Sequence, residues 1–550
     1  MSLSILIGIF VFNWWSLAVE EVDGLVWFDR WREIEVYLFV TALSLVGLCV
    51  VPFLRRSFVR VPLALLLLMG IGVDRIMIAI SGSPLTLDMA TIAIRETGMS
   101  DGFFRTFGGV VAINLVLVAV ISLPILLRPA GPFHLPSWLG LFPVTALAGV
   151  ALVIYDSRGE IGAFPSPISV PAQFLVSQFL VPTNENLQRP AVAYAGPFHP
   201  KIKKIVMVVD ESVRGNVLGI NNPELDNTPH LSNASEILAN FGVAISGANC
   251  SADSRAMMRF GLQPRNLPDV DQVWTRIPTL WQYVKAAGFK SVFLDAWYRF
   301  GTFHSYMTNQ EALEVDEYKT VLGHPYYNRD MDVASELVEL LKRDEPMLIY
   351  VNKYGTHMPY TDSFPPDLDY VAPEPAAAPY LTGTRRESVR NYRKALRWSV
   401  DEFFATILPA IDDETVLIYT SDHGEALYEG NAEWGHCSEV EPALSEAYVP
   451  LFVASRQPDL LREFQGEAKR AYGRASHFEI FPTLLELMGY PSAWVDEHYG
   501  PSLLDVPADR KRAFLLGPLY LGSSQWVPDD PSAARHGDEP QTGAPAPLSQ

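Results

Sequence analysis

Long apolar runs occupy the first 155 positions of the chain, and shorter β-branched runs mark the remainder. Five apolar stretches occur at about 3–19, 36–54, 62–81, 110–127 and 137–155. A helix rises about 1.5 Å per residue, so stretches of this length suit the hydrocarbon core of a bilayer, which is about 30 Å thick. Five such runs in succession are not typical of the buried helices of a soluble protein. The pattern therefore predicts a transmembrane bundle of about five spans over residues 1–155.

The charges of the connecting loops predict the orientation of this bundle. Three arginines lie within residues 55–60 and another follows the fourth stretch, whereas acidic residues follow the first. Basic loops stay on the cytoplasmic side, so everything after residue 155 is predicted to lie outside. The first stretch lacks the basic flank and the cleavage site of a signal peptide, and we expect it to be retained. Asp74 and Arg75 fall within the third span, where we expect them to contact each other.

From Lys201 onward the pattern changes to short buried runs that alternate with helical periodicity. The runs KKIVMVV, KSVFLDA, MLIYVN, TVLIYTS and PLFVAS are predicted to be buried parallel strands, and segments such as TLWQYVKAAG and MDVASELVELLKR to be helices. This alternation predicts an α/β domain over residues 201–522 with helices on both faces of its sheet. Residues 156–200 are predicted to be a juxtamembrane linker, in which VPAQFLVSQFLVP either lies on the membrane surface or is a plain tether. Residues 523–550, rich in Pro, Ala, Asp and Gly, are predicted to be disordered.

Composition and charge narrow the range of functions. The 550 residues include 42 Lys and Arg against 62 Asp and Glu, a net charge of −20, which argues against a nucleic-acid binder. Three cysteines are too few for a fold that depends on a disulfide scaffold. A mean hydropathy of +0.12 fits a membrane part joined to a soluble part.

Polar side chains follow three of the predicted strands. The strand ends lead into Asp210-Glu211-Ser212, into the segment that reaches His357, and into Asp422-His423, with His436 in a loop soon afterwards. Ligands of open α/β sheets bind beyond the carboxyl ends of the strands, so these side chains are expected to meet at one edge. Carboxylates and imidazoles without a ligating Cys run favour zinc or manganese over copper.

Ser251 is the candidate reacting group, because it precedes a helical pattern that begins near Ala252. A serine in this place is often only a helix N-cap. The alternative is a nucleophile whose hydroxyl is activated by the metal, with the helix N-terminus behind it stabilising the attacked anion. We favour the nucleophile, and substitution separates the two interpretations.

The motifs together resemble the alkaline-phosphatase/sulfatase superfamily. They are VVDES, NCSADSR, GTHMPY, SDHGEALYEG, GH and SHFEIFPTLLELMG, spread over about residues 201–500. With five preceding spans, the chain resembles the membrane-bound lipid A phosphoethanolamine transferases and, more distantly, the lipoteichoic acid synthases. The resemblance implies a catalytic divalent metal, zinc first and manganese second, bound by Glu211, Ser251, Asp422 and His423. It further implies that His357 and His436 contact the phosphoryl group or a second metal, and it places Ser251 where those transferases usually have Thr.

The same resemblance implies an enzyme of the bacterial inner membrane with its catalytic domain on the periplasmic side. It would transfer a phospho-headgroup, phosphoethanolamine first, from a membrane phospholipid to an envelope lipid or glycan through a phospho-Ser251 intermediate. The alternative within the superfamily is a hydrolase, either a sulfatase or a phosphodiesterase, because Ser251-Ala-Asp-Ser-Arg255 is close to the sulfatase signature Cys/Ser-x-Pro-Ser-Arg. A binding protein with a decayed site is the alternative that is not an enzyme.

Two features depart from the transferase pattern. The transferases commonly carry His-x-x-Gly-x-His-Gly-Pro, whereas this chain has Asn352 in place of the first His and Met358 after His357. The many cysteines of the lipid A enzymes are also absent. Cys250 and Cys437 each adjoin a candidate site residue, and the sequence leaves open whether they form a disulfide outside the cytoplasm or remain reduced.

Overall fold

The computed structural model consists of two compact units. It describes residues 14, 17–19, 21–23, 25–26, 30–81, 84–95, 100–126, 134–157, 159, 161–180, 189–298, 300, 305–370, 383–428, 435–438 and 442–529. The first unit extends to Thr183 and includes Leu521–Ser523, and the second begins at Asn184.

The regular secondary-structure elements of the first unit, in its described part, are helices. Its helices are α1 (Trp31–Val50), α2 (Ser57–Ser81), α3 (Leu87–Arg95), α4 (Ser100–Leu126), α5 (Leu141–Asp156) and α6 (Ser166–Leu180). Among the described residues, three helical segments are long and apolar enough to cross a membrane: Trp31–Phe53, Ser57–Ile80 and Ser137–Asp156. They coincide with the second, third and fifth predicted spans.

The count of five spans stays a prediction. The fourth predicted span falls within α4 (Ser100–Leu126), in which Phe107–Val120 is an apolar helical stretch of the described residues. The first predicted span lies almost wholly outside the described residues. The buried carboxylate of Asp74, expected to contact Arg75, accepts a hydrogen bond from the backbone N–H of Leu85 at 3.1 Å. A backbone amide is therefore one partner of this charge.

The second unit is an α/β domain. Its strands are β1 (Lys204–Asp210), β2 (Leu238–Ile245), β3 (Lys290–Asp295), β4 (Glu317–Thr320), β5 (Met347–Asn352), β6 (Thr415–Ser421), β7 (Tyr448–Ser455), β8 (Arg512–Leu516) and β9 (Gln525–Asp529). Its helices are α7 (Pro229–Asn233), α8 (Ser251–Phe260), α9 (Leu280–Ala286), α10 (Asn309–Leu313), α11 (Arg329–Leu341), α12 (Gly383–Leu396), α13 (Phe403–Ile407), α14 (Pro458–Arg470), α15 (Ile480–Leu487) and α16 (Ser492–Tyr499).

Seven of the described strands form one sheet in the order β2-β7-β6-β1-β5-β3-β4. Strand β1 lies at its centre and pairs in parallel with β5 and β6. Its residues alternate between two cores, since Val206 and Val208 pack on one face while Ile205, Met207 and Val209 pack on the other. Burial on both faces explains the continuous apolar runs and confirms the predicted α/β architecture.

One predicted strand direction is wrong. We expect PLFVAS to be parallel to the others, but β7 pairs antiparallel with both β6 and β2. A strand buried on both faces has the same apolar pattern in either direction, so its sequence does not reveal its orientation. Strands β2, β4, β8 and β9 are not predicted from the sequence.

The boundaries of the linker and the tail also differ from those expected. The predicted linker 156–200 is divided, because α6 belongs to the first unit and residues from 189 belong to the second. The predicted disordered tail begins too early, because β9 pairs with β8. Asp529 at the end of β9 is buried against Arg512 at 2.9 Å and accepts a hydrogen bond from the Tyr448 hydroxyl at 2.8 Å. Residues 525–529 of the predicted tail therefore form a strand, and residues 530–550 lie outside the described residues.

Candidate active site

The three strand ends predicted to carry the chemistry are neighbours in the sheet. β1 lies between β5 and β6, so Glu211, Asn352 and Asp422 emerge at one edge. The turn after β1 is tight, and Gly355 packs against it with a left-handed backbone (φ 64°). A Cβ at Gly355 would lie 2.5 Å from Asp210 Oδ1 and 2.6 Å from the Glu211 carbonyl oxygen, so a glycine is required there.

Ser212 orients two carboxylates in this turn. Its backbone is left-handed (φ 59°), which is uncommon for a residue other than glycine. In this conformation its N–H donates to Asp422 Oδ1 at 3.1 Å and its hydroxyl donates to Glu211 Oε1 at 2.9 Å. One strained residue therefore fixes both acids relative to each other.

Ser251 faces these acids from the first position of α8. Its Oγ lies 3.0 Å from His423 Nε2 and 3.5 Å from Glu211 Oε1. The N-cap position of α8 is Cys250, and no side chain caps the helix by a hydrogen bond. The hydroxyl of Ser251 thus interacts with candidate metal ligands rather than with the backbone of the helix, which argues against the N-cap interpretation.

Arg255, one turn along α8, forms ion pairs with the carboxylates of Glu211 and Asp422. Its guanidinium lies 2.6 Å from Glu211 Oε2 and 3.0 Å from Asp422 Oδ2, and it donates to Asn352 Oδ1 at 2.6 Å. Burial raises the pKa of Glu211, but the charges of Arg255 and His423 lower it more, so that the pKa lies well below the usual value. Arg255 is the last residue of the sulfatase-like signature, and that signature is its signal in the sequence.

His423 lies between Asp422 and Glu211. Its Nε2 is 3.7 Å from Asp422 Oδ1 and 3.5 Å from Glu211 Oε1. Burial lowers the pKa of His423, but the two carboxylates raise it more, to about 9. Because a metal binds the neutral imidazole, metal binding here would release a proton.

His436 approaches the same group from a loop. Its imidazole centroid lies 4.0 Å from that of His423, and its Nδ1 is 2.9 Å from Glu425 Oε2. The buried Glu425 is fixed in turn by the Tyr360 hydroxyl, which donates to Oε1 at 2.5 Å. The imidazole of a metal-bound histidine commonly donates a hydrogen bond from its other ring nitrogen to a carboxylate, which fixes the orientation of the ring. The sequence pattern does not identify Glu425 or Tyr360 as site residues, although Glu425 follows His423 by two residues.

His357 lies at the outer side of this cluster. Its ring centroid is 5.9 Å from that of His436 and 5.1 Å from that of Trp297, and its Nδ1 is 2.8 Å from the Met358 carbonyl oxygen. Burial lowers the pKa of His357 and favours its neutral form. The Asp210 carboxylate, in contrast, is withdrawn from the cluster because the buried Lys353 ammonium binds its Oδ2 at 2.5 Å.

The residues present fit a divalent metal. Ligand atoms of Glu211, His423 and His436 all lie within 4.8 Å of one another, and Ser251 Oγ is within reach of two of them. The buried Asp422 Oδ2 accepts no hydrogen bond of good geometry, despite its ion pair with Arg255. One or two carboxylates with two imidazoles form a donor set that suits zinc. Three of the expected ligands, Glu211, His423 and Ser251, therefore lie together with His436. Asp422 adjoins them, with its Oδ1 3.7 Å from His423 Nε2.

Cys250 and Cys437, whose state the sequence left open, form a disulfide. The bond joins the residue before Ser251 to the residue after His436. Cys49, in α1, is free.

Two solved structures share the described fold. The lipooligosaccharide phosphoethanolamine transferase A of Neisseria meningitidis, an integral membrane protein, superposes with a TM-score of 0.57 at 19% identity, covering 83% of this chain and 88% of that one. The C-terminal periplasmic domain of EptC from Escherichia coli, solved in complex with Zn, gives a TM-score of 0.52 at 19% identity, covering 64% of this chain and 99% of that domain. These likenesses establish the fold.

A sequence relative points in the same direction. The Kdo(2)-lipid A phosphoethanolamine 7''-transferase of Escherichia coli K12 is 23% identical over 328 residues, so the match spans about half the length of each protein, 56% in both cases. The predicted resemblance to the phosphoethanolamine transferases is thereby confirmed. Residues 203–490, slightly more than half of the sequence, match the sulfatase family, and the chain belongs to that family.

Proposed function

We propose that the protein is a membrane-bound phosphoethanolamine transferase, which moves the headgroup of a phospholipid to an envelope lipid or glycan. The observation that carries this proposal is the position of the Ser251 hydroxyl, 3.0 Å from His423 Nε2 at the start of α8. A hydroxyl in that place can act as a nucleophile, since nearby groups take up its proton and its charge. The similarity to phosphoethanolamine transferases supports this choice of headgroup.

A zinc ion would be held by Glu211, His423, Asp422 and Ser251. His436 would be a further ligand or would contact the phosphoryl group. The bound ion would lower the pKa of the Ser251 hydroxyl and offset charge on the phosphoryl oxygens. Arg255 keeps Glu211 and Asp422 ionised and oriented, because its guanidinium contacts both carboxylates. Manganese is the second candidate.

In the first half-reaction, Ser251 Oγ attacks the phosphorus of the phospholipid. The bond from Oγ to phosphorus forms, the bond from phosphorus to the diacylglycerol oxygen breaks, and that oxygen takes up a proton. The first turn of α8 directs its backbone N–H groups towards the attacked group and favours its negative charge. His357 and His436 are the candidates to contact the phosphoryl oxygens. The proton released by Ser251 is the one that the leaving oxygen takes up.

In the second half-reaction, a hydroxyl or phosphate oxygen of the acceptor attacks the phospho-Ser251. The bond from phosphorus to Ser251 Oγ breaks, and the serine regains its proton. The donor and the acceptor would occupy the site in turn, so one set of residues serves both steps.

The catalytic unit would lie on the periplasmic side of the bacterial inner membrane, following five spans. The three apolar helices support membrane insertion, and the arginines at 55–60 support this orientation. The disulfide supports it independently, because such bonds persist in oxidising compartments and are rare in the cytoplasm.

A sulfatase-type hydrolase is the second candidate, and one contact favours it. Arg255, the last residue of the sulfatase-like signature, binds the two acids beside Ser251. In that case a separate maturation enzyme would have to oxidise the Ser251 side chain by two electrons to formylglycine, and water would be the final acceptor.

Intact-mass spectrometry of the full chain, incubated with zinc and phospholipids of defined headgroup, distinguishes these functions. A transferase gains the mass of phosphoethanolamine, which Ser251→Ala abolishes, and the label then moves to an added envelope lipid. Addition of phosphoglycerol would change the headgroup assignment and keep the mechanism. An unmodified Ser251, or one that carries formylglycine, would refute the transferase.

A further inference from the structure

The disulfide joins two parts of the site that are far apart in the chain. Cys250 directly precedes Ser251, Cys437 directly follows His436, and 187 positions separate the two cysteines. Cys250 is buried, and it is also the N-cap residue of α8. The bond therefore links the helix that carries Ser251 to the loop that carries His436.

Hydrogen bonds around the disulfide reinforce the same link. The Cys437 N–H donates to the Asn249 carbonyl oxygen at 3.0 Å, and Asn249 Nδ2 donates to the Ser438 carbonyl oxygen at 2.9 Å. Glu446, which is fully buried, accepts at Oε2 from Asn249 Nδ2 at 2.9 Å and from the Ser438 N–H at 3.0 Å. We call Asn249, Cys250, Cys437, Ser438 and Glu446 the clamp.

The clamp connects the His436 loop to the helix that carries Ser251, which the other contacts of His436 do not. Glu425 binds the imidazole at Nδ1 and sets the plane of the ring. On the other side of His436, Gly435 forms a pair of backbone hydrogen bonds with Ala426. The clamp is the described contact that fixes the following residue to the Ser251 helix, so it determines how far His436 stands from Ser251.

We propose that the clamp is a positioning element which holds His436 within ligand distance of His423 and Glu211, and thereby raises the zinc affinity of the site. The expected effect of the clamp on turnover at Ser251 rests on the proposed function, whereas its effect on zinc affinity does not. Catalytic groups need placement to within about half an ångström, and supporting contacts provide that precision. Without the clamp, the loop would be held only on the Gly435 side of His436, and the placement of His436 would be less precise.

A double-mutant cycle on the full chain in detergent tests the clamp. The variants are Cys250→Ser combined with Cys437→Ser, His436→Ala, and the combination of all three. Zinc affinity is measured by competition with a chromogenic chelator. The double Ser variant is expected to bind zinc about 10–100-fold more weakly, the usual effect of removing a residue that orients a metal ligand without binding the metal itself. Because the clamp acts through His436, the combined variant is expected to bind zinc no more weakly than the weaker binder of its two components, the double Ser variant and His436→Ala.

Two results would overturn the proposal: unchanged zinc affinity in the double Ser variant, or losses that multiply with those of His436→Ala. Cys49→Ser is the matched control, because it removes a thiol from α1 and is expected to leave zinc affinity unchanged. If the double Ser variant does not fold, Asn249→Leu keeps the disulfide and removes both side-chain hydrogen bonds. A several-fold loss is then expected, again absent in the His436→Ala background, and no loss would refute the clamp.

This test separates its own failure from that of the proposed function. A wild-type protein that binds zinc but transfers no headgroup would refute the transferase and leave the zinc comparison valid. Where transfer is observed, the double Ser variant is expected to lower kcat more than it raises KM, since a misplaced His436 affects the reacting group rather than general binding.

Discussion

The candidate site has two halves that are held by different means. The strand half consists of Glu211, Asp422 and His423, which follow β1 and β6 and are almost fully buried. The loop half consists of His357 and His436, which are half-buried and lie on loops. The sheet and Arg255 fix the first half. In the second half, Glu425 and the clamp hold His436, whereas His357 contacts Trp297 and the Met358 carbonyl oxygen.

The difference shows where precision comes from in each half. Parallel strands in register place their ends at one edge without further support. A loop has no such template, so each loop histidine needs its own partners, and the disulfide supplies one of them covalently. We therefore expect the strand half to determine whether the metal binds at all, and the loop half to tune affinity and rate.

The largest effect is expected where the two halves meet, at Ser251. Ser251→Ala removes the proposed nucleophile, so transfer should fall by about 10³-fold or more and no covalent intermediate should form. Stability should hardly change, because this hydroxyl caps no helix. Ser251→Thr keeps a hydroxyl and should retain partial activity. Transfer assays and intact mass measure both, and an Ala variant that still forms the intermediate would contradict the assignment.

The next largest effect is expected from the strand half. Glu211→Gln or Asp422→Asn removes a negative ligand and leaves Arg255 only partly compensated, a change that costs about 3–5 kcal/mol in a buried pair. Zinc affinity should fall by more than the about 10–100-fold typical of removing a residue that orients a metal ligand without binding the metal itself. Metal analysis together with thermal unfolding checks this, and a variant with full zinc content would show that its carboxylate is not a ligand.

A smaller effect is expected from the support of the loop half. Glu425→Gln weakens the contact at His436 Nδ1, so zinc affinity or turnover should fall by about 10–100-fold while the fold stays intact. Tyr360→Phe removes only the hydrogen bond to Glu425 and is the milder control. If Glu425→Gln behaved like wild type, His436 would be oriented by its backbone alone.

The smallest effect on the site is expected from Ser254, the other hydroxyl of this turn of α8. Its Oγ lies 3.0 Å from His477 Nδ1 and donates to the Asp422 carbonyl oxygen, away from the Glu211 carboxylate. Ser254→Ala should lower the free energy of unfolding by about 1–3 kcal/mol and leave zinc affinity unchanged. Formation of the intermediate on Ser254 instead of Ser251 would displace the nucleophile by three residues.

The sequence by itself determined the membrane part, the α/β class and the residues that meet at the sheet edge. Apolar length identifies spans, and continuous β-branched runs identify strands buried on both faces. Glu211 and His423 were identifiable because polar residues directly after such a strand have few positions to occupy. His357, His436 and Ser251 were identifiable in the same way, from strand ends and from the start of a helical pattern, and the family motifs added their expected roles.

Only the tertiary structure decided the rest. The antiparallel direction of β7 and the pairing of β9 depend on neighbours that local pattern does not encode. The disulfide between Cys250 and Cys437, and the support of His436 by Glu425, join side chains on separate turns and loops. Local sequence specifies which residues follow a strand, because the strand itself carries them to the sheet edge. It does not specify which loops are held together, because that depends on how the whole chain packs.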